Sequence, residues 1–513
     1  MSSAVENNKR IAKNSIILYV RFLFTMAVNL YTSRVVLSVL GVDDFGLYAV
    51  VTSAITIFFF LNASMVGATS RFLTFELGKK DLVQLKKTFS ASLTTHIVIA
   101  LVIVILGETI GLWYLENRMV VPENRMTAVR WVYQLAIISS TATIIQSPYN
   151  ASILAHERMN VYAYIEIFNT CLKLGIVYLL TIGNLDKIIL YAILTLGVSI
   201  VILTTYIIYC LLHFEECKYK FEWDKKIIYP MLSFSGWNLL TNGAYSLSTQ
   251  GIQIILNIFF ANAINAAYGI AMQIHSAFYS LAMSFLMAVK PQIVKYYAED
   301  RVLEMENLTI NATKFSFLFL FSFSFPVMLE MDFVLDLWLK QPPEFATIFC
   351  RLFLIIVLLT VLSENIFRCI QATGKMKTQS IYVGGLLTLI PVIAYLFFKL
   401  GNTTPYMPLL IALGVYIMTF FARLIIAHRL IPQVSVSRFL KKVVLTSFII
   451  VFISSILPLF AHYSIDGGFF RFVLVVLSSI SSVAIATYYI GLSRQMREKV
   501  IYTIRQKILT IKR

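Results

Sequence analysis

The stretch Ile188–Leu212 reads IILYAILTLGVSIVILTTYIIYCLL, without one Asp, Glu, Lys or Arg. As a helix, such a run is long enough to cross a hydrocarbon core of roughly 30 Å. Polar residues bound it on both sides, with Asp186 and Lys187 before it and Lys218, Lys220, Lys225 and Lys226 after it. Comparable runs recur from Asn14 onward, separated by short polar loops. The chain is 58% hydrophobic and only 13% charged over 513 residues, whereas soluble domains carry about a quarter charged residues. The reading that follows is an all-α polytopic membrane protein of about 14 transmembrane helices. The first run, Asn14–Leu40, has no small-residue cleavage site after it and reads as a retained helix.

Charge sets the expected orientation. Basic residues gather in alternate loops: Lys9, Arg10 and Lys13 before the first span, Lys79, Lys80, Lys86 and Lys87 after the second, and the four lysines after the sixth. Arg438, Lys441 and Lys442 precede the thirteenth, and the chain ends in Arg505, Lys507, Lys512 and Arg513. The positive-inside rule places these loops and both termini in the cytoplasm. The net charge of +17 is therefore topological and calls for no nucleic acid. Cys171, Cys210, Cys217, Cys350 and Cys369 are scattered without CxxC spacing, so neither a disulfide framework nor a metal site is expected.

The chain also repeats itself. FGLYAVVTSAI at Phe45–Ile55 and NAAYGIAMQIH at Asn265–His275 both open an outward-to-inward helix after a tight turn, and Tyr48 falls on Tyr268. A repeat with six spans between its copies implies two parallel lobes. The expected organisation is a cytoplasmic N-terminus (1–13), an N-lobe of helices 1–6 (14–212) and a cytoplasmic linker (213–230). A C-lobe of helices 7–12 (231–427), two further helices (428–490) and a basic cytoplasmic tail (491–513) complete it.

The segment YTSRVVLSVLGVDDFGLYAVV at Tyr31–Val51, with Arg71-Phe72 and Lys79-Lys80 beyond it, resembles the opening of polysaccharide flippases. These belong to the multidrug/oligosaccharidyl-lipid/polysaccharide exporter superfamily. AAYGIA at Ala266–Ala271 and KPQIVKYYAEDR at Lys290–Arg301 are similar to the same family's second-lobe signature. The resemblance implies two six-helix lobes around a central cavity. It also implies movement of polyprenyl-diphosphate-linked oligosaccharides from the cytoplasmic to the outer leaflet of the bacterial inner membrane, for O-antigen, capsule or exopolysaccharide assembly. Implied partners are the lipid-linked glycan, the bilayer, a glycan polymerase and assembly proteins, with H+ or Na+ as coupling ion. No cofactor is implied, and no phosphate-binding loop, HExxH or nucleophile elbow marks the chain as an enzyme.

Ionisable residues inside apolar runs are costly, and so they mark function or pairing. Arg21 and Arg34 in the first span, Lys173 in the fifth and Arg368 in the tenth are the candidates for a cationic lining. Arginine suits a diphosphate through its forked donors; the competing reading is snorkelling toward head groups. Glu166, seven residues before Lys173, and Glu364, four before Arg368, are candidates for coupling or for plain ion pairing, since a desolvated carboxyl holds its proton more tightly. His275 is a third coupling candidate against a buried core histidine. The amides Asn238, Asn242, Gln250, Gln253, Asn257 and Gln273 read either as helix bridges or as sugar contacts. Pro148, Pro326, Pro391 and Pro458 are hinge candidates. Two other readings remain beside the flippase: a multidrug or organic-cation antiporter of the same superfamily, and a non-transporting scaffold whose charges are all paired.

Overall fold

The computed structural model describes residues 2–492, 497 and 498, apart from residues 80, 157, 182–184, 261, 288, 290–292, 294, 295, 298, 374, 402. Side chains at 2–20, 22, 23, 78, 234, 238, 284, 285 and 287 are likewise left out. Lys80, Asn238, most of the segment 290–298 and all but a few residues of the basic tail therefore lie outside the described residues.

Every regular element among the described residues is a helix, as a lipid environment demands of uninterrupted apolar runs. In chain order these are α1 (Ser2–Thr56), α2 (Phe60–Lys79), α3 (Leu82–Asn117), α4 (Met126–Ala155), α5 (Met159–Leu180), α6 (Lys187–His213) and α7 (Lys225–Phe259). They continue as α8 (Asn262–Met287), α9 (Val302–Leu329), α10 (Met331–Leu339), α11 (Ala346–Ala372), α12 (Lys377–Lys399), α13 (Met407–Leu430), α14 (Val436–Ser464) and α15 (Phe469–Gly491). Among the described residues, 11 helical stretches are long and apolar enough to span a membrane. The first of them, Phe24–Leu77, runs for 54 residues, twice the length of a single crossing. Each of the spans read from the sequence falls on one helix or, for the second and ninth, on two in succession, including α7 and α8, which lie outside those eleven. The protein is an all-α multi-pass membrane protein.

Several boundaries differ from expectation. The first helix starts at Ser2, well before Asn14. The turn expected over Gly41–Asp44 is a single break at Gly41, with φ 78° and ψ 170°, a conformation that glycine reaches without a Cβ clash. The second span is divided by a 3-10 turn at Ile57–Phe59. The apolar run Asn311–Leu337, the ninth span of the sequence, is divided: α9 stops at Leu329, where Glu330 leaves the helix and α10 starts separately. The linker 213–230 is not free: Phe214 and Cys217 are buried in the core beneath α3 and α6, and α7 begins at Lys225. Pro148, Pro391 and Pro458 sit inside uninterrupted helix, and only Pro326 stands just before a break.

The chain divides into two compact units. The first comprises Met1–Gly269, Pro342–Phe345 and Gly384–Pro408. Within it α4 packs on α6, α1 on α5, and α2 on α7, around a core that includes Val36, Leu47, Val50, Val129, Tyr133 and Leu180. A close backbone approach explains one residue of the repeated motif. A Cβ on Gly46 would lie far inside van der Waals contact of the Asn262 carbonyl at the start of α8. The second unit comprises Ile270–Gln341, Ala346–Val383 and Leu409–Arg513. There α9 packs on α11, α14 on α15, and α15 on α9, with Leu318, Leu320, Val357, Ile450 and Val483 at the centre.

Candidate substrate-binding residues

In the first unit, α1 and α5 carry the candidate charges along surfaces that pack together. The Arg21 guanidinium lies 4.9 Å from the centroid of the Tyr162 ring, a cation–π contact. Its Nε is buried without a hydrogen-bond partner, and no carboxylate pairs with it among the described residues. Glu166 stands one turn beyond Tyr162 on α5. It accepts a hydrogen bond from Tyr206 Oη at 3.4 Å and does not pair with Lys173, which is exposed on the same helix. The local ion pair that the seven-residue spacing allowed is therefore not made. Arg34, on the first segment of α1, is partly buried and engaged by neighbours of its own.

Some candidates turn out to be bridges. Asn257 accepts from the Val120 amide at 3.0 Å and donates to the Val120 carbonyl at 3.4 Å, tying α7 to the chain just after α3. Asn242 donates to Ser64 Oγ at 3.2 Å, joining α7 to α2. Gln253 is buried with its amide nitrogen unpartnered. The first unit also encloses a cavity of about 100 Å³ whose polar lining comes from Tyr48, Thr52, Thr56, Ser139, Ser140 and Thr195. Tyr48 of the repeat thus lines a hydroxyl-rich space, whereas its counterpart Tyr268 donates to the Thr249 carbonyl at 2.9 Å.

In the second unit the expected Glu364–Arg368 pair forms, at 2.5 Å. Arg423 on α13 joins it, 3.8 Å from the same carboxylate. His275 is buried, stacked on Tyr279 and tilted against Phe353. Sequence reading missed Arg423 and the buried Lys314 because both fall in the terminal turns of apolar runs, where a long basic side chain reads as snorkelling. Tyr162 was missed although its signal was present: it stands one helical turn before a carboxylate inside the membrane.

The long, all-helical chain is a multi-pass membrane protein, and comparison with solved structures supplies the fold. The lipid II flippase MurJ, in an inward closed conformation, superposes with a TM-score of 0.63 at 15% identity, over 93% of this chain and 98% of that one. An inward-facing multidrug resistance MATE family transporter of the MOP superfamily gives a TM-score of 0.64 at 15% identity, over 82% and 100% of the two chains. A MOP superfamily transporter from Pyrococcus furiosus, described by the reversed polarity of its binding pocket, gives 0.59 at 15% identity over 82% and 96%. The chain has the fold of the MOP superfamily, shared by flippase and multidrug transporter. No family model matches the sequence, and no curated protein does.

Proposed function

We propose that this protein is a flippase. It moves polyprenyl-diphosphate-linked oligosaccharide units from the cytoplasmic to the outer leaflet of the bacterial inner membrane by alternating access, for surface polysaccharide assembly. The observation that carries this reading is Arg21. Its guanidinium rests on an aromatic ring, with one buried donor unmet and no carboxylate paired with it among the described residues. An intramembrane cation left in that state is stabilised by an anionic ligand and repels a cationic one. Lys173, exposed on the neighbouring helix, adds a second cation, and Arg34 a third on α1. Both chain termini lie in the cytoplasm, as the basic loops require. The extent of the likeness to MurJ, 93% of the chain against 82% for the MATE structure, supports the same choice.

The second reading, an organic-cation antiporter, is supported by a TM-score of 0.64 to a MATE transporter against 0.63 to MurJ. Glu166 serves it best, its carboxylate meeting one long tyrosine hydrogen bond among the described residues. In the flippase reading Glu166, Glu364 and His275 are the residues proposed to couple movement to H+ or Na+.

One experiment separates the two. The full chain, reconstituted in liposomes, is given a fluorescent polyprenyl-diphosphate oligosaccharide, and leaflet exchange is followed by quenching from outside. Exchange that falls at least about tenfold with Arg21→Ala, the loss of a charged hydrogen-bond partner, supports the flippase. Absence of exchange, together with uptake of a cationic dye under a proton or sodium gradient, hands the protein to the antiporters.

A further inference from the structure

The C-terminal half of α11 carries Ser363, Glu364, Phe367, Arg368 and Gln371, and the last turns of α13 bring Arg423 against them. All six belong to the second unit. Arg368 Nη2 donates to Glu364 Oε1 at 2.5 Å, and its Nη1 donates to Gln371 Oε1 at 3.0 Å. Arg423 Nη1 donates to Ser363 Oγ at 2.8 Å but stands 3.8 Å from Glu364 Oε2, beyond hydrogen-bond reach. The Arg423 guanidinium lies 5.0 Å from the centre of the Phe367 ring. Its Nε is buried and has no hydrogen-bond partner.

Two guanidiniums thus share one carboxylate, which is the only carboxylate paired with either of them among the described residues. One positive charge is left over in a place where charge is costly. Snorkelling does not account for it. The Arg423 side chain is only 13% exposed and that of Arg368 21%, while Glu364 is at 8%. The cluster is too enclosed to be neutralised by bulk water. Arg423 keeps Nε and part of its terminal fork uncommitted, and a guanidinium fork matches the spacing of oxygens on a phosphate better than a single point charge does.

We propose that this cluster is an anion site of the second unit that takes one phosphate group. Arg423 and Arg368 supply the donors, and Glu364 holds Arg368 in place. The site is separate from Arg21, which belongs to the first unit, and it does not depend on what the protein transports. Arg368 lies four residues before the end of α11, and Arg423 seven before the end of α13. At 1.5 Å per residue both are roughly 6–10 Å inside their helix ends, the depth of a lipid phosphate or just below it. Lys375, Lys377 and Arg429 follow at those same ends, so the cluster lies toward the leaflet that the basic loops assign to the cytoplasm.

The test is binding to the detergent-purified full chain carrying Arg21→Ala, which removes the first unit's cation. Titrations use inorganic phosphate, and separately mixed micelles containing phosphatidylglycerol, with thermal stability and native mass spectrometry as readouts. Saturable binding of either probe that weakens at least about tenfold when Arg423→Gln is added supports the site. Response to phosphate alone makes the ligand a free oxyanion; response to the lipid only makes it a head group. Glu364→Gln gives an independent reading, because two arginines without their carboxylate should bind phosphate more tightly and gain more stability from it. Binding absent in the Arg21→Ala protein, or unchanged by Arg423→Gln and Glu364→Gln alike, overturns the proposal and leaves the flippase reading untouched. Conversely, failure of leaflet exchange with Arg423-dependent phosphate binding intact removes the flippase reading alone.

Discussion

Arg21 and Glu364 are the same kind of signal in the sequence, an ionisable residue inside an apolar run, and the fold treats them in opposite ways. Glu364 is gripped by two arginines; Arg21 meets a tyrosine ring and, among the described residues, no acid. The difference predicts a graded series at one position. Arg21→Lys keeps the charge but loses the fork and most of the ring contact, so leaflet exchange should fall several-fold, and Arg21→Ala should fall further. Tyr162→Leu removes a cation–π contact worth about 1 kcal/mol, and should therefore weaken exchange by less than Arg21→Ala. Equal exchange across all three variants would exclude Arg21 from the substrate path. Gly46 offers a structural control. Gly46→Ala drives a methyl into the Asn262 carbonyl, and such overpacking costs about 1–3 kcal/mol or more. The variant should elute with far less monodisperse protein and melt earlier. The positions of the charges were legible in the sequence, because hydropathy isolates them. Their partners were not, because Arg423 reaches Ser363 across 60 residues, and only packing decides that α13 lies beside α11.

The helix α9, with Glu330 just past its end, sets the place of the last two helices through three buried ionisable groups. Glu306 accepts from the Ser435 amide at 2.9 Å and pairs with Arg438 at the start of α14. Lys314 donates to the Gly491 carbonyl at 2.6 Å, at the C-terminal end of α15, where a cation also meets the negative end of the helix dipole. Glu330, 1% exposed, holds His462 and Arg471, each at 2.7 Å, on either side of the turn between α14 and α15. Sequence analysis sees the last two spans as an appendage, since the repeat ends before them. Ion pairs at both ends make them an integral part of the second unit. Glu330→Gln leaves Arg471 without its counter-charge in a buried setting, a change that costs about 3 kcal/mol. Hydrogen exchange should rise across 462–491 while the peptides of α1–α6 stay as they are. An unchanged exchange pattern would mean that apolar packing alone, around Ile450 and Val483, holds α15. The helix breaks were the least legible elements. Gly41 announces itself as a glycine, but nothing in the local sequence distinguishes Ile57–Phe59 or Glu330 from helix that simply continues.

Across the whole molecule, the ion pairs form a check on sidedness that hydropathy alone does not contain. Arg125 at the start of α4 binds Asp44, after the Gly41 break, and Asp186, before α6; the basic-loop rule puts all three on the outside. His156, after α4, meets Glu216, after α6, at 2.5 Å, and Glu215 meets Lys86 at 3.1 Å; all four fall on the cytoplasmic side. In the second unit, Glu306–Arg438 joins two ends assigned to the cytoplasm, and Glu330–Arg471 two assigned to the outside. Within each unit, every one of these pairs therefore joins ends that an odd error in the span count would have placed on opposite faces. What the pairs do not carry is which face is which; that rests on the lysines and arginines. The remaining prediction addresses it directly. Of the five cysteines only Cys171 is exposed, so their replacement by alanine gives a background for single-cysteine labelling. Asp43→Cys and Leu400→Cys, both at exposed positions, should react with a membrane-impermeant maleimide in intact spheroplasts. Lys79→Cys and Lys377→Cys, equally exposed, should react only after permeabilisation. The reverse pattern would invert the molecule. It would turn the basic cluster at the ends of α11 and α13 toward the outer leaflet, so a lipid phosphate bound there would be an outer-leaflet head group.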